Sequence, residues 1–396
     1  MTSTIPRFDD IELPTTELEE WRYSRIGDID FSSYEFATDG GEPSASVAAL
    51  VDELGTPNSS VALRNGVLVN PPRVGTGVTI SRPERLIGEP VDAFGGFIRA
   101  SALDPVEVTI HSGAHIEEPI VIAVEVSGSN RGTACLLQLR AQEASSSRVV
   151  LLIGGASSDS LLLNDLLIDV EQAATLSLAV IQVLEDSTHL IGSVAATMAR
   201  DASLTTTYVG IGGDYARVRF DTDLNGRGAD AQIDSIYLGL GTQMHDLRTF
   251  QRHNDRDSSS RLDFRGAVGG SAHAVYTGLI RVGEQARGTN ASQSNRIIKL
   301  SDQAWAESVP NLEIHNNDVR CAHASAIGPI DADQRFYLES RGVEPSQAEQ
   351  LVVAGHFRDV LDHSAASQLA TILKGDIADR LARSAVSDAS AEQVQP

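Results

Sequence analysis

The chain has 396 residues, with 54 Asp or Glu against 31 Lys or Arg, a formal net charge of −23. That balance argues against nucleic acid, whose phosphates select lysine and arginine, and favours solubility and basic partner surfaces. No apolar run approaches the ~20 residues that span a bilayer, the start MTSTIPRFDDIE lacks a charged-then-apolar leader, and two distant cysteines, Cys135 and Cys321, make no disulfide framework, so a reducing cytoplasm is expected, without membrane contact.

Residues 1–75 predict an irregular or helical cap. Thr16 and Glu19 have capping-box spacing ahead of Trp21, which reads as a packing anchor. SVAALVDEL predicts a short helix ended by Gly55, and VALRNGVLVN a hairpin turning at Asn65-Gly66. From residue 76 to 325 the pattern changes to short runs of Val, Ile and Leu closed by Gly, Asp, Asn or Ser, such as PIVIAVEV, RVVLLIGG and ATLSLAVIQVL. In ARVRFD, Ala216, Val218 and Phe220 alternate with Arg217, Arg219 and Asp221, a strand period with a charged, solvated face. Many strands with turns between them fit a sandwich, a barrel or a solenoid. Loosely repeated units such as SSSRLDFRGAV and SAHAVYTGLIRV favour stacked coils. Cys135, in ACLLQLR, reads as core; His111 and His115 lie in turn-and-strand sequence and read as surface residues.

After Gly328 the period becomes helical. Asp331 and Gln334 predict a capped helix through FYLESR, ended by Gly342. Ser346 and Glu349 predict a second capping box, with Val353, Phe357, Val360 and Leu361 on one face. Leu369, Leu373, Ile377 and Leu381 stripe a last helix before a polar tail, SDASAEQVQP, expected to be disordered.

Chemistry concentrates in PNLEIHNNDVRCAHASAIG, residues 310–328. On a strand, Val319, Cys321 and His323 share a face. A thiolate and an imidazole suit iron–sulfur, copper or zinc chemistry, and a protonated imidazole would lower the thiol pKa. Two donors fall short of the four of a closed site, and from spacing alone burial as a small hydrophobe is the better explanation of a cysteine beside Val319. The chain has no G-x-x-x-x-G-K-[ST] phosphate loop, no G-x-S-x-G elbow and no H-E-x-x-H helix. For a carbohydrate-active β-helix enzyme, the alternative reading, Asp221, Asp223 and Asp230 with Arg217 and Arg219 are the nearest candidates.

The run LEIHNNDVRCAHASAIGPIDADQRFYLESRG resembles the C-terminal signature of the SufB/SufD family of iron–sulfur cluster assembly proteins, and QSNRIIKLSDQAWAESVPNLEI and EEWRYSRIGDIDF resemble it upstream. The resemblance covers about residues 14–362, and the short N-terminal region without a cysteine cluster is more similar to SufD than to SufB. It implies a mainly β fold, a right-handed parallel β-helix core at 76–325 between an N-terminal cap at 1–75 and a C-terminal helical domain at 326–396. It implies a non-catalytic scaffold subunit that pairs with a SufB-like chain and a SufC-like ATPase and serves cluster formation and iron delivery. Cys321 and His323 match the family's C-x-H motif, although Ala324 stands where many members have glycine. The implied cofactor is a transient cluster or iron shared with the partner subunit, with no metal stably bound by the lone chain. The C-terminal helices, through Phe357, Leu369, Leu373 and Ile377, are implied to dock the ATPase. The resemblance leaves open a homodimer, the cluster type, the recipient proteins and any flavin contact.

Overall fold

The structure is a computed structural model and describes Phe8, residues 11–36, Gly40, and residues 44–156 and 159–392. Two parallel sheets face each other across a narrow lumen, and successive strands alternate between them for about eight turns. Sheet A runs from Val106–Ile110 through Arg131–Ala141, Ser160–Val170, Thr188–Met198, Tyr215–Leu224, Met244–His253 and His273–Val282 to Trp305–Ile314. Sheet B runs from Ser60–Arg64 through Ile120–Ser127, Ser146–Ala156, Thr175–Val183, Ser203–Ile211, Asp230–Gly239, Ser259–Val268 and Asn290–Lys299 to Arg320–Pro329. Sheet B therefore begins inside the expected cap. Its first strand pairs in parallel with Ile120–Ser127 and closes a hairpin with Val67–Leu68, turning at Asn65 (φ 50°) and Gly66 (φ 75°), where both residues need left-handed backbone.

Each coil stacks on the next because its strands are apolar on both faces, as parallel strands covered on both sides are. Inward residues such as Val108, Leu137, Leu151, Leu166 and Val180 fill the lumen. Outward residues of sheet B pack against three helices, α1 (Ala45–Leu54), α4 (Pro345–Asp362) and α5 (Ala370–Glu392); α2 (Ala93–Ser101) and the N-terminal segment pack on sheet A, and α3 (Ala332–Ser340) lies beside α4. One corner repeats through the solenoid. Ala144, Ala173, Asp201, Gly228, Asp257 and Gly288 all have positive φ, at intervals of 27–31 residues. The N–H of each donates to a carbonyl in the next coil, from Ala144 to Gln172 up to Gly288 to Asp318. This corner is the physical content of the loose repeat, visible as RDAS, RGAD, RDSS and RGTN at residues 200, 227, 256 and 287.

Local chemistry at the helix ends agrees with the sequence in three places. Gly55 ends α1 at φ 74°, Asp331 caps α3 by accepting from the N–H groups of Asp333 and Gln334, and Gly342 follows α3 at φ 86°. Two capping boxes are absent. The first helix is a short 3-10 turn, Glu19–Trp21, without a side-chain cap, and α4 starts at Pro345 after Glu344, again uncapped by a side chain. Proline suits a helix's first position because its missing N–H would have no helical partner there. α5 continues to Glu392, past the Ser387 at which the sequence predicts disorder; residues 393–396 lie outside the described residues.

The charged face of ARVRFD is not solvated. The N-terminal segment lies over it, and Arg217, Arg219 and Asp221 are buried. The Arg217 guanidinium stacks 3.7 Å from the Trp21 ring and donates to the Glu20 carbonyl and to Asp246. Arg248 donates to Asp246 on one side and to the Arg22 carbonyl on the other. Burial alone would raise the Asp246 carboxyl, but Arg217 and Arg248 beside it hold it below the ordinary carboxylate range. Trp21 is thus a packing anchor, and what it anchors is a strap of N-terminal chain over sheet A.

Candidate functional site

The strand Arg320–Pro329 is the last of sheet B, and Trp305–Ile314 the last of sheet A. Each pairs on one side only among the described residues, so the solenoid ends in an open coil. Register sets Cys321 over Ala291, His323 over Gln293 and Ser325 over Asn295. Cys321 and His323 therefore share the inward parity of Ala291, which is buried in the final apolar cluster.

Cys321 is half-buried and packs, with Val319 and Leu312, against Ile280, Val282, Ala286 and Ala291. Its thiol pKa is raised by burial and drawn partly back by a hydrogen bond with the Ala291 backbone. The lowering that an adjacent imidazole would bring is not found, and His323 is exposed at the open end of the coil. Its side chain sits in apolar packing, while most of the strand that carries it is exposed. Cys135 lies at the far end of the lumen, where burial pushes its thiol up to about 12. It is core, as its sequence context predicts.

The four residues expected to meet an ATPase are placed otherwise. Phe357, Leu369, Leu373 and Ile377 are at most 3% exposed, packed with Val47 and Leu50 of α1 on the outer face of sheet B. Their stripe holds helices to the solenoid, and helical spacing alone does not distinguish an internal seam from a partner surface. The exposed apolar surface lies next to it. Phe336 (72% exposed), Tyr337 (58%) and Leu351 (54%) stand out from α3 and α4, and Tyr337, Leu338, Leu351 and Val352 line a groove between the two helices. The signal for it was present in FYLESR, two adjacent aromatics on a short helix that has no apolar stripe to bury them.

The residues considered for carbohydrate chemistry form no open acid cluster. Arg217, Arg219 and Asp221 lie under the strap, Asp223 pairs with Arg252 at 3.3 Å, and Asp230 contacts Ser259. His111 is exposed and bonds Thr79, while His115 forms a bridge to Ser146 at a polar surface groove. No helix among the described residues is long and apolar enough to cross a membrane.

Fold and site together define a β-solenoid whose soft donors sit on the edge of an open terminal coil, flanked by helices that present apolar side chains outward. Residues 125–356 match the family described as SUF system FeS cluster assembly, SufBD core domain. An iron–sulfur cluster assembly SufBD family protein of Mycobacterium tuberculosis is 32% identical over 296 residues, 72% of this chain and 73% of the relative. The iron–sulfur cluster assembly protein SufD of Escherichia coli is 32% identical over 156 residues (39% of this chain, 37% of the relative), and that of Bacillus subtilis 30% over 141 residues (36% and 32%). The chain belongs to the SufBD family of iron–sulfur cluster assembly proteins, and its relatives include SufD proteins.

Proposed function

We propose that this chain is a non-catalytic, SufD-like scaffold subunit of a cytoplasmic complex, with a SufB-like subunit seated on the open coil and a SufC-like ATPase on the helices. The observation that carries this reading is the open strand Arg320–Pro329, which brings Cys321 and His323 to an unpaired sheet edge. Such an edge presents a row of backbone donors and acceptors that another strand can complete. Two donors on this side, joined by donors from the partner, would make up the set a transient cluster or iron ion needs. ATP hydrolysis then belongs to the partner, and movement transmitted through α3 and α4 would open and close the junction. The groove beside Phe336 and Leu351 supports docking there, in place of the buried stripe.

Anaerobic co-expression with a SufB-like chain and a SufC-like ATPase tests this. The three should purify as one complex. The chain purified alone should hydrolyse no ATP and carry iron well below one equivalent. Failure to join the complex, or a stoichiometric cluster on the lone chain, would sink the proposal.

A further inference from the structure

The lumen changes character along its axis. In the early coils its lining is aliphatic, as at Val108, Leu137 and Val149. In the last coils Leu247, Phe264 and Ile297 still face inward, but beside them stand the polar side chains of Thr249, Gln251, Tyr276, Gln293, Asn295 and Ser308, and the first five of these are at most 3% exposed. Thr249 bonds the Tyr276 hydroxyl at 3.1 Å, and the Asn295 amide donates to Ser308 at 3.0 Å. Both side-chain amide atoms of Gln293, Oδ1 of Asn295 and Oε1 of Gln251 have no hydrogen-bond partner among the described residues. Gly278 lets these heads crowd together: a carbon built at its Cβ position would lie 2.6 Å from Gln293 Oε1, 2.8 Å from the Tyr276 hydroxyl and 3.0 Å from Thr249 Oγ1.

A buried amide left dry is destabilising for each unpaired group, and four such atoms in one stretch of lumen would be a heavy burden on one marginally stable domain. None of the six lining side chains is Asp, Glu, Lys or Arg, so a ligand here is neutral and both donates and accepts. Water fits that description. Gln293 also has a particular neighbour. It lies in register beneath His323, one strand spacing of about 4.8 Å away.

We propose that the C-terminal lumen is a built site for ordered water, and that this water fixes the Gln293 amide beneath His323, making Gln293 a positioning residue for that imidazole. The water site stands independently of the assembly reading; the importance of His323 rests on it.

The test uses the full chain without cluster or partner. Oxygen-17 relaxation dispersion counts long-lived internal waters, and ring nitrogen-15 spectra give the tautomer ratio of His323. Gln293→Met keeps much of the shape but removes donor and acceptor, with Gln293→Leu as the second variant should methionine repack the lumen. At least one long-lived water should be lost, and the His323 tautomer ratio should change at unchanged pH. An unchanged water count, or an unchanged ratio in a folded variant, would overturn the proposal. Neither readout involves cluster chemistry, so a failure of the assembly reading would leave both intact.

Discussion

Asp165 shows how one buried group sets a pH response. It lies on the outer face of sheet A, where it accepts from Ser193 and its second oxygen has no hydrogen-bond partner among the described residues. Burial pushes its carboxyl up to about 6, against the opposing pull of the Ser193 bond and of Arg99. Folded above unfolded means that its contribution to stability is full below the ordinary carboxylate pKa and is lost as pH rises through about 6. Asp165→Asn keeps the acceptor without the charge. It should raise stability at pH 8 by about 2–3 kcal/mol, a gain that shrinks as pH falls toward 5, read by urea denaturation. A gain independent of pH would show that the charge is not the cause. At the opposite end, half-buried Cys321 lies against Ala291, and Cys321→Ala should cost only about 1 kcal/mol. On that expectation the Cys321→Ala chain folds, and any larger effect of the lost sulfur would appear in function.

Among the elements, α1 and α5 hold the solenoid, α3 presents apolar side chains, and α4 does both, with Phe357 in the seam and Leu351 exposed. Leu373→Asp or Ile377→Asp places a charge in the seam against sheet B and should cost about 4 kcal/mol or more, seen as a large drop in melting temperature. Phe336→Asp with Leu351→Asp should leave melting unchanged and weaken ATPase binding. Equal melting losses in both sets would remove the distinction. This division was only half legible. The stripe Leu369, Leu373, Ile377 and Leu381 was plain in the sequence, and so was its helical period. What the stripe packs against was not, because sheet B's outer face is assembled from strands as far back in the chain as the one that carries Val121 and Ala123. The strap was hidden for the same reason. Arg217, Arg219 and Asp221 alternate with apolar residues as a solvated face does, and only the fold brings Trp21 and the Glu20 carbonyl onto them. Local signals such as Asn65-Gly66, Asp331 and Gly342 were readable, since their causes lie within a few residues. Trp21→Ala should release the strap. Trypsin should then cut within residues 11–36 faster than in the native chain, while far-ultraviolet circular dichroism of the solenoid persists. Unaltered cutting would mean that the arginine contacts alone hold the segment.

The whole molecule is a stack closed at one end and open at the other. At its start the hairpin strands and α2 cover the first coils; at its finish Arg320–Pro329 pairs on one side only among the described residues. The repeat was legible as a succession of strands, and the motif order pointed to the family, which in turn implied the parallel coils. The placement of Cys321 and His323 on the terminal edge follows from counting coils to the end, which spacing within DVRCAH does not reveal. The central claim is that this edge takes part in cluster assembly. Its most direct test is the rate of anaerobic cluster formation by the purified three-subunit complex carrying Cys321→Ala or His323→Ala, followed by absorbance and by iron and sulfide content. Both variant complexes should assemble with native stoichiometry and build clusters at less than about a tenth of the normal rate, a loss of roughly 1.4 kcal/mol or more in the barrier. Clusters formed at the normal rate on both variants would contradict the account and leave Cys321 a packing residue beside a surface histidine.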